Sequence, residues 1–498
     1  MYFLYTAVFR AVLPCYYKKN TIFRRVLKST LEWLIMLLFR CFSGIIFITC
    51  VVLMLTPYVW LAPFIAVSCV GLIILYQHPA WGLLGLIFLV PFEGLFEGTR
   101  FFTGAKVLGA ALLLIVACQL ILRQMPIERL RSPLWRPLAL FLLLYTISVL
   151  HSNYVELSLN NFRQMLTAIA IFVLTLLLAE DLRFKQLMST LVLAVAMTAL
   201  IALYQTYTSN NRAIGLLKDP NYFALLISVA IAMVGYLVLH QRFWLVSLFW
   251  VGILIVLSLT FMKTYSRSGA LVLLIVIGFA LWHYRGYFHL VRARHLGWVL
   301  LSLAVAVPIA HVSIPEDYKQ RLFSLLSLQK GIKSFDDRSL GRRASYLVVG
   351  WQSIKENPWT GTGPGSFPVN YAYSGYASAF SLSRREPELF RRAHNTYLEL
   401  AVESGVVVSL LFCWLAWRGL VSYWQVRIMA LQKQRLSLAS SVTHLGLAFL
   451  ALCIFLLFLS APNHKYFWCM LAIAEVVRRY CERQSSALTE EIRHEASL

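Results

Sequence analysis

The sequence predicts an all-α, polytopic transmembrane helical bundle with a long extracytoplasmic loop that carries an amphipathic helix. Three observations predict it. Charged residues make up 13% of the 498 residues and hydrophobic ones 59%, whereas a soluble domain averages about 25% charged. Apolar runs of about 16–20 residues recur along the chain, the length that crosses a bilayer as a helix. Lys and Arg gather in alternate short loops, as the positive-inside rule requires. The mean hydropathy of +0.70 agrees.

In chain order, residues 1–30 read as a cytoplasmic or interfacial segment. Arg10, Lys18, Lys19, Arg24 and Arg25 interrupt its apolar stretches. No small-residue cleavage site follows an apolar core, so it is no clean signal peptide; an amphipathic helix on the membrane surface fits. Residues 31–311 form a transmembrane region with apolar runs at 31–55, 58–76, 79–92, 104–122, 136–150, 164–180, 186–203, 221–239, 243–261, 269–284 and 296–311. Residues 312–393 form an extracytoplasmic loop. Runs at 396–417, 442–460 and 463–477 make the C-terminal transmembrane part, 394–477, and 478–498 is a cytoplasmic tail. The third and fifth runs are short, and the first two nearly fuse through Pro57. Short or broken segments are tolerated where protein surrounds them, which puts the count at about 12–14 helices.

With the amino terminus inside, the inner loops hold Arg123, Arg129, Arg131, Arg136, Arg183, Lys185, Arg242, Arg285, Arg292, Arg294, Arg418, Arg427, Lys433 and Arg435. Both termini are then cytoplasmic. The net charge of +23 thus sets topology and meets anionic membrane lipid, and it excludes nucleic acid as the expected partner. The nine cysteines include no CxxC pair, so neither a zinc site nor a disulfide scaffold is indicated. No metal-binding spacing, P-loop or dinucleotide fingerprint is present, and no cofactor is expected.

Three outer loops break the charge trend. One carries Arg212 and leads to Asp219 and Pro220, where Asp219 is placed to cap the next helix and Asn221 is a weaker choice. One carries Lys263, Tyr265 and Arg267, with Ser266-Arg267-Ser268-Gly269 opening an apolar helix. The third is the long loop, which ends at His394. Within it, 340–356 reads as an amphipathic helix. Tyr346, Val349, Gly350, Ser353 and Ile354 can line one side, and Leu347, Trp351 and Ile354 offer another apolar line. Ser339 is a candidate cap and Asn357-Pro358 a stop. The glycines at 361, 363 and 365 make a tight turn, and the whole reads as a small lid partly in the interface plane. Tyr371, Tyr373 and Tyr376 either anchor in the interface or stack on sugars, with anchoring favoured.

Arg267 is either a snorkelling side chain or a fork-shaped donor to phosphate beside a helix start. Arg212 is either an ordinary loop arginine or a second phosphate donor. His394 is either a structural histidine or a base for a sugar hydroxyl, with a helix amino terminus holding its pKa down. Glu399 and Glu403 do not share a helical face with His394 and are not expected to orient it. Asn395 is a candidate cap. Two fixed cations and one titratable base at a headgroup face suit chemistry on an anionic, lipid-linked substrate.

In this order, Arg212-Ala213-Ile214-Gly215 with Pro220-Asn221, Ser266-Arg267-Ser268-Gly269, the stretch from Asn357 to Phe367, and His394-Asn395-Thr396-Tyr397-Leu398-Glu399 with Glu403-Ser404-Gly405 resemble the bacterial O-antigen ligase and polymerase superfamily. The resemblance covers about residues 80–475, most strongly 205–405. It implies a GT-C-like bundle in the inner membrane, with glycosyl transfer at the periplasmic face from a glycan carried on undecaprenyl pyrophosphate. It implies a metal-independent, inverting glycosyltransferase in which Arg212 and Arg267 hold the leaving pyrophosphate and His394 activates or positions the acceptor hydroxyl. Arg342 or Arg343 would add a phosphate contact, and Lys263, Tyr265 and Asn395 would complete the substrate-binding set. A flippase and a chain-length regulator are possible partners in such a system.

The acceptor stays open. A polymerase passes the glycan to a second lipid-linked repeat, making a surface or exopolysaccharide; this is ranked slightly ahead. A ligase passes it to lipid A–core, and relatives pass it to a protein hydroxyl. The basic residues Arg384, Arg385, Arg391 and Arg392 suit either an anionic acceptor or lipid. A transporter of the same lipid-linked sugar and a scaffold protein are the rivals from other classes. No inverted repeat of broken helices supports the former.

Overall fold

A computed structural model describes residues 61–96, 103–209, 212–217, 219–285, 338–380 and 389–495. Sixteen α-helices lie in these stretches, with no strand among the described residues. In chain order they are α1 (Leu61–Gln77), α2 (Pro79–Leu89), α3 (Gly104–Ile121), α4 (Trp135–Leu150), α5 (Val155–Leu178), α6 (Phe184–Ser209), α7 (Pro220–Leu239), α8 (Trp244–Lys263) and α9 (Arg267–Tyr284). They continue with α10 (Arg338–Glu356), α11 (Phe367–Tyr373), α12 (Tyr376–Phe380), α13 (Thr396–Ser404), α14 (Val406–Gln432), α15 (Leu436–Phe455) and α16 (Lys465–Glu495). In hydrocarbon each backbone N–H and C=O must find a partner inside its own segment, so long apolar segments become helices.

Eight helices among the described residues are long and apolar enough to cross a membrane, or nine if the bent pair α1 and α2 is one span. The pair turns by 114° at its break, where Pro79 cannot continue the ladder of α1. The runs at 31–55 and 296–311, the segment 1–30 and the pair Arg384 and Arg385 lie outside the described residues. The short run at 136–150 is the 16-residue α4. The run at 396–417 is a correction: it is two helices, parted at Gly405, whose φ of 89° and ψ of 160° no helix accommodates.

Helices α7 and α15 form the centre. Phe223, Leu226, Val229 and Val234 of α7 and Leu445, Phe449 and Leu452 of α15 are fully enclosed. Outer helices instead show apolar side chains outward: Trp244, Leu245, Leu248 and Phe249 of α8, and Leu274, Ile277 and Phe279 of α9. A contiguous apolar surface of this kind is a liability in water and the normal boundary in lipid. The chain is therefore an integral membrane protein.

The two ends of the bundle differ in kind. One end is tied by ions: Arg129 pairs with Asp181 at 2.6 Å, and Arg483 with Glu180 at 3.0 Å. Arg479 donates to the carbonyls of Arg129 and Leu176, which closes α16 onto α5. The other end carries the turns at 212–217, 264–266, 361–365, 393–395 and 456–464, and there the candidate site is assembled.

Candidate functional site at the turn end

Helix α7 organises the first half of the site. Pro220 sits in its first turn, and the Asp219 carboxylate accepts from Asn221 N at 2.7 Å, so Asp219 is the cap. Asn221 then turns its amide outward: its Oδ1 accepts from Ser266 Oγ at 3.0 Å. Ser266 in turn caps α9, accepting from Gly269 N at 3.2 Å. Two helix starts are thus tied by one hydrogen bond, and Arg267 is the first residue of the second. Gly269 is required by packing, since a Cβ there would stand 2.8 Å from the Phe261 ring.

The turn between α8 and α9 is gripped from the other side. Ala213 N donates to Lys263 O at 2.9 Å. Arg212 donates twice to the Thr264 carbonyl, from Nε at 2.9 Å and from Nη2 at 2.6 Å. That carbonyl is an orphan of the α8 carboxy terminus, and a cation there also suits the helix dipole. Tyr265 follows with φ at 53°, a left-handed conformation that costs a bulky residue energy and is retained where surroundings impose it. Arg212, Lys263, Tyr265 and Arg267 are therefore gathered in one crossing of two turns.

The second half is built around His394, which also has a positive φ, 49°. Asn395 caps α13, its Oδ1 accepting from Tyr397 N and Leu398 N, both at 3.1 Å. The residue before the histidine is pinned as well: Ala393 N donates to Glu399 Oε2 at 3.1 Å. Glu399 also pairs with Arg392 at 2.9 Å, and Arg392 Nη1 reaches the Ser460 carbonyl at 3.2 Å. The imidazole itself is half-buried, 6.1 Å from the Tyr346 ring centroid. Its Nδ1 is buried without a hydrogen-bond partner among the described residues. Burial holds the His394 pKa below its ordinary value, with Arg343 and Arg392 acting in the same direction and Asp219 and Glu399 opposing. The direction agrees with the sequence expectation, but desolvation is the main cause.

The influence of Asp219 on His394 links the halves. One carboxylate caps α7, whose Asn221 holds the start of α9, and the same carboxylate acts on the imidazole. Arg342, Arg343 and Arg391 all act on the Tyr346 phenol. The amino-terminal turns of α10 therefore bring cations to the His394 side.

Helix α10 lies across α13 through a small second core of Tyr346, Val349, Phe367, Tyr371, Ala377, Ala393 and Val402. A Cβ at Gly350 would stand 2.8 Å from Leu398. The Tyr346 face is the buried one; Leu347 and Trp351 are more than half exposed. Two expectations are corrected here. The helix begins at Arg338, so Ser339 lies inside it and is not its cap. Tyr371 is neither an anchor nor a sugar platform: it is buried, with its hydroxyl 3.0 Å from Ser345 Oγ. Tyr373 is exposed and Tyr376 partly so.

The glycine turn is a wedge. Gly363 N donates to Glu403 O at 2.8 Å and Thr362 N to Val402 O at 3.0 Å. Ser158 donates to the Pro364 carbonyl at 3.0 Å, and Ser148 to the Glu403 carbonyl at 2.8 Å. Gly363 has φ of 103°, and a Cβ there would strike Ser152 Oγ. The Glu403 carboxylate accepts from Phe367 N at 3.1 Å. Burial, reinforced by the neighbouring Glu399, pushes its pKa up to about 8. Sequence reasoning passed over Arg392, Glu399 and Glu403 as a set. The signal available was their spacing: glutamates at i and i+4 with an arginine just upstream of a helix start.

Residues 252–413 match the family described as O-Antigen ligase. The matched segment contains Arg267, Arg342, Arg343 and His394, and Arg212 lies upstream of it. No curated protein matches the chain. The match covers about a third of the chain and supports a likeness to that family.

Proposed function

We propose that this integral membrane protein of the O-antigen ligase and polymerase superfamily polymerises undecaprenyl-pyrophosphate-linked oligosaccharide repeats into a surface or exopolysaccharide. The reaction takes place at the periplasmic face of the inner membrane, with both termini cytoplasmic and undecaprenyl pyrophosphate as leaving group. One observation supports the reading: Arg212 and the helix start that carries Arg267 are tied through Thr264, Ser266 and Asn221, and Asp219, which caps the same helix as Asn221, bears electrostatically on His394. Arg267 neutralises the departing pyrophosphate, aided by the backbone N–H groups of the α9 start. Arg212 contributes to the same field and fixes the turn. His394, its ring kept neutral by burial, accepts the proton of the attacking hydroxyl. The bond from the donor anomeric carbon to the phosphate oxygen breaks as the bond to the acceptor oxygen forms, so the anomeric centre inverts without metal or a covalent sugar intermediate. Arg342 and Arg343 add charge on the glycan side, and Lys263, Tyr265 and Asn395 line the approach. A flippase would supply the donor, and a chain-length regulator would set the product size.

A ligase acting on lipid A–core is the second reading, favoured by the description of the matched family. Purified wild type and His394→Ala are given the lipid-linked glycan with each acceptor separately, in detergent. A ladder on a second lipid-linked repeat supports polymerisation; a single adduct on lipid A–core replaces it with ligation. Equal product from His394→Ala removes His394 from the mechanism. No transfer to either acceptor turns the reading toward protein glycosylation or transport.

A further inference from the structure

At the end of the bundle away from His394, α9, α14 and α15 enclose a cavity of about 480 Å³, within the range of small-molecule sites, about 300–1,000 Å³. Phe279, Trp417, Val421, Leu447 and Leu450 give it apolar walls. Its mouth is aromatic and cationic. Trp282 and Trp424 stack with centroids 5.5 Å apart and planes 13° apart. The Arg427 guanidinium stands 5.1 Å from each ring centroid and donates from Nε to His283 Nδ1 at 3.1 Å. Arg285 lies 5.0 Å from the same Trp282 ring.

The charge here is one-sided. Among the described residues, the only charged group acting on Arg427 is Arg285, a like charge. Two guanidiniums held together on indole faces, with no carboxylate answering them among the described residues, favour an anion. Helix α9 has 18 residues and is thus about 27 Å long, close to the hydrocarbon thickness of about 30 Å. With Arg267 at one headgroup level, as the proposed function has it, the length of α9 puts Arg285 near the other. An apolar slot that opens at headgroup depth beneath two unanswered arginines fits one class of ligand.

We infer that this cavity binds an anionic phospholipid, with an acyl chain between Phe279, Trp417 and Leu450 and the phosphate on Arg427 and Arg285. The planar forks suit a phosphate diester, and the indoles hold them in place. A general aromatic belt would show no preference among headgroups.

The test is native mass spectrometry of the purified full chain with phosphatidylglycerol or phosphatidylcholine of identical acyl chains. Wild type is expected to retain one phosphatidylglycerol at least about tenfold better than phosphatidylcholine, about 1.4 kcal/mol. The double variant Arg285→Gln/Arg427→Gln is expected to lose that preference, and Arg242→Gln, elsewhere at this end, to keep it. Equal retention of the two lipids by wild type overturns the inference, as does an unchanged preference in the double variant. Should the double variant fail to fold, Leu450→Trp fills the slot and leaves the charges. Weaker retention of both lipids supports the site, and unchanged retention overturns it.

Discussion

Arg212 commits two N–H groups to the Thr264 carbonyl, whereas His394 keeps a buried Nδ1 with no hydrogen-bond partner among the described residues. The two halves of the site are fixed by opposite means. On the arginine side Arg212 itself takes part in the scaffold. On the histidine side the neighbours are pinned instead: Ala393 by Glu399, and Asn395 as a helix cap. A fixed cation serves a leaving group of constant charge. In the proposed reaction a base must exchange a proton with substrate, and here the backbone on either side of His394 is held while its buried Nδ1 makes no hydrogen bond among the described residues.

The largest expected effect breaks the arginine side. Arg267→Ala should lower kcat for glycan transfer by about 10²–10³-fold, the cost of one charge-stabilising donor. Arg267→Lys should recover part of that loss, because it keeps the charge without the fork. Arg212→Lys should be nearly as damaging as Arg212→Ala, since an ammonium cannot reproduce the paired Nε and Nη2 contact with Thr264. Turnover of the four variants, normalised to folded protein, separates these outcomes. If Arg212→Lys behaves like wild type, the clamp on Thr264 is unimportant.

Next in size is the packing of the histidine side. Gly405 joins α13 to α14 at φ 89° and ψ 160°, and a Cβ there would strike the Trp359 carbonyl oxygen. Those angles are nearly confined to glycine and cost another residue about 1–3 kcal/mol; the backbone contact adds to that. Gly405→Ala should lower the melting temperature in detergent and reduce transfer together. A Gly405→Ala protein with wild-type melting would show that the joint at Gly405 does not hold α13.

How much of this was legible in the sequence follows from the range of each interaction. The helices came through because burial in lipid imposes one rule on every apolar run. The caps at Asp219 and Asn395 came through because a cap is decided within three residues. Charge topology and the order of short motifs lead to the expectation that Arg212, Arg267 and His394 share one face, but neither signal carries their contacts. Tyr371 was misread because aromatic spacing cannot distinguish an interfacial ring from one packed on Tyr346 and Phe367. The break at Gly405 was hidden inside a continuous apolar run. Its cause, the Trp359 carbonyl, lies 46 residues upstream. The Glu399 clamp was missed because i,i+4 reasoning asks which side chains share a face, and this carboxylate folds back onto a backbone N–H instead.

A pH series sharpens the comparison further. Glu403 titrates near 8 in the fold against an ordinary value of 4.5, so the folded state holds a proton that the unfolded chain has released. Stability then falls as pH rises from about 4.5 to about 8 and levels off above. Glu403→Gln is neutral throughout and should flatten the melting temperature across that window. An undiminished slope in the variant would assign the pH dependence to another group.

The smallest effect probes the link between the halves. Asp219→Asn keeps a side chain that caps helices well, so α7 and the Ser266 contact should persist. It removes a negative charge that raises the His394 pKa against the lowering by burial. The His394 pKa should therefore fall further. A base works only while unprotonated, so the acid limb of kcat/KM should move to lower pH with kcat at neutral pH nearly unchanged. The Arg343→Gln change removes a lowering influence and should move the same limb the other way. Opposite shifts from these two substitutions would identify the titrating group as His394, since they act on its ring from different elements. Shifts of the same sign, or none, would mean that the limb belongs to a different residue.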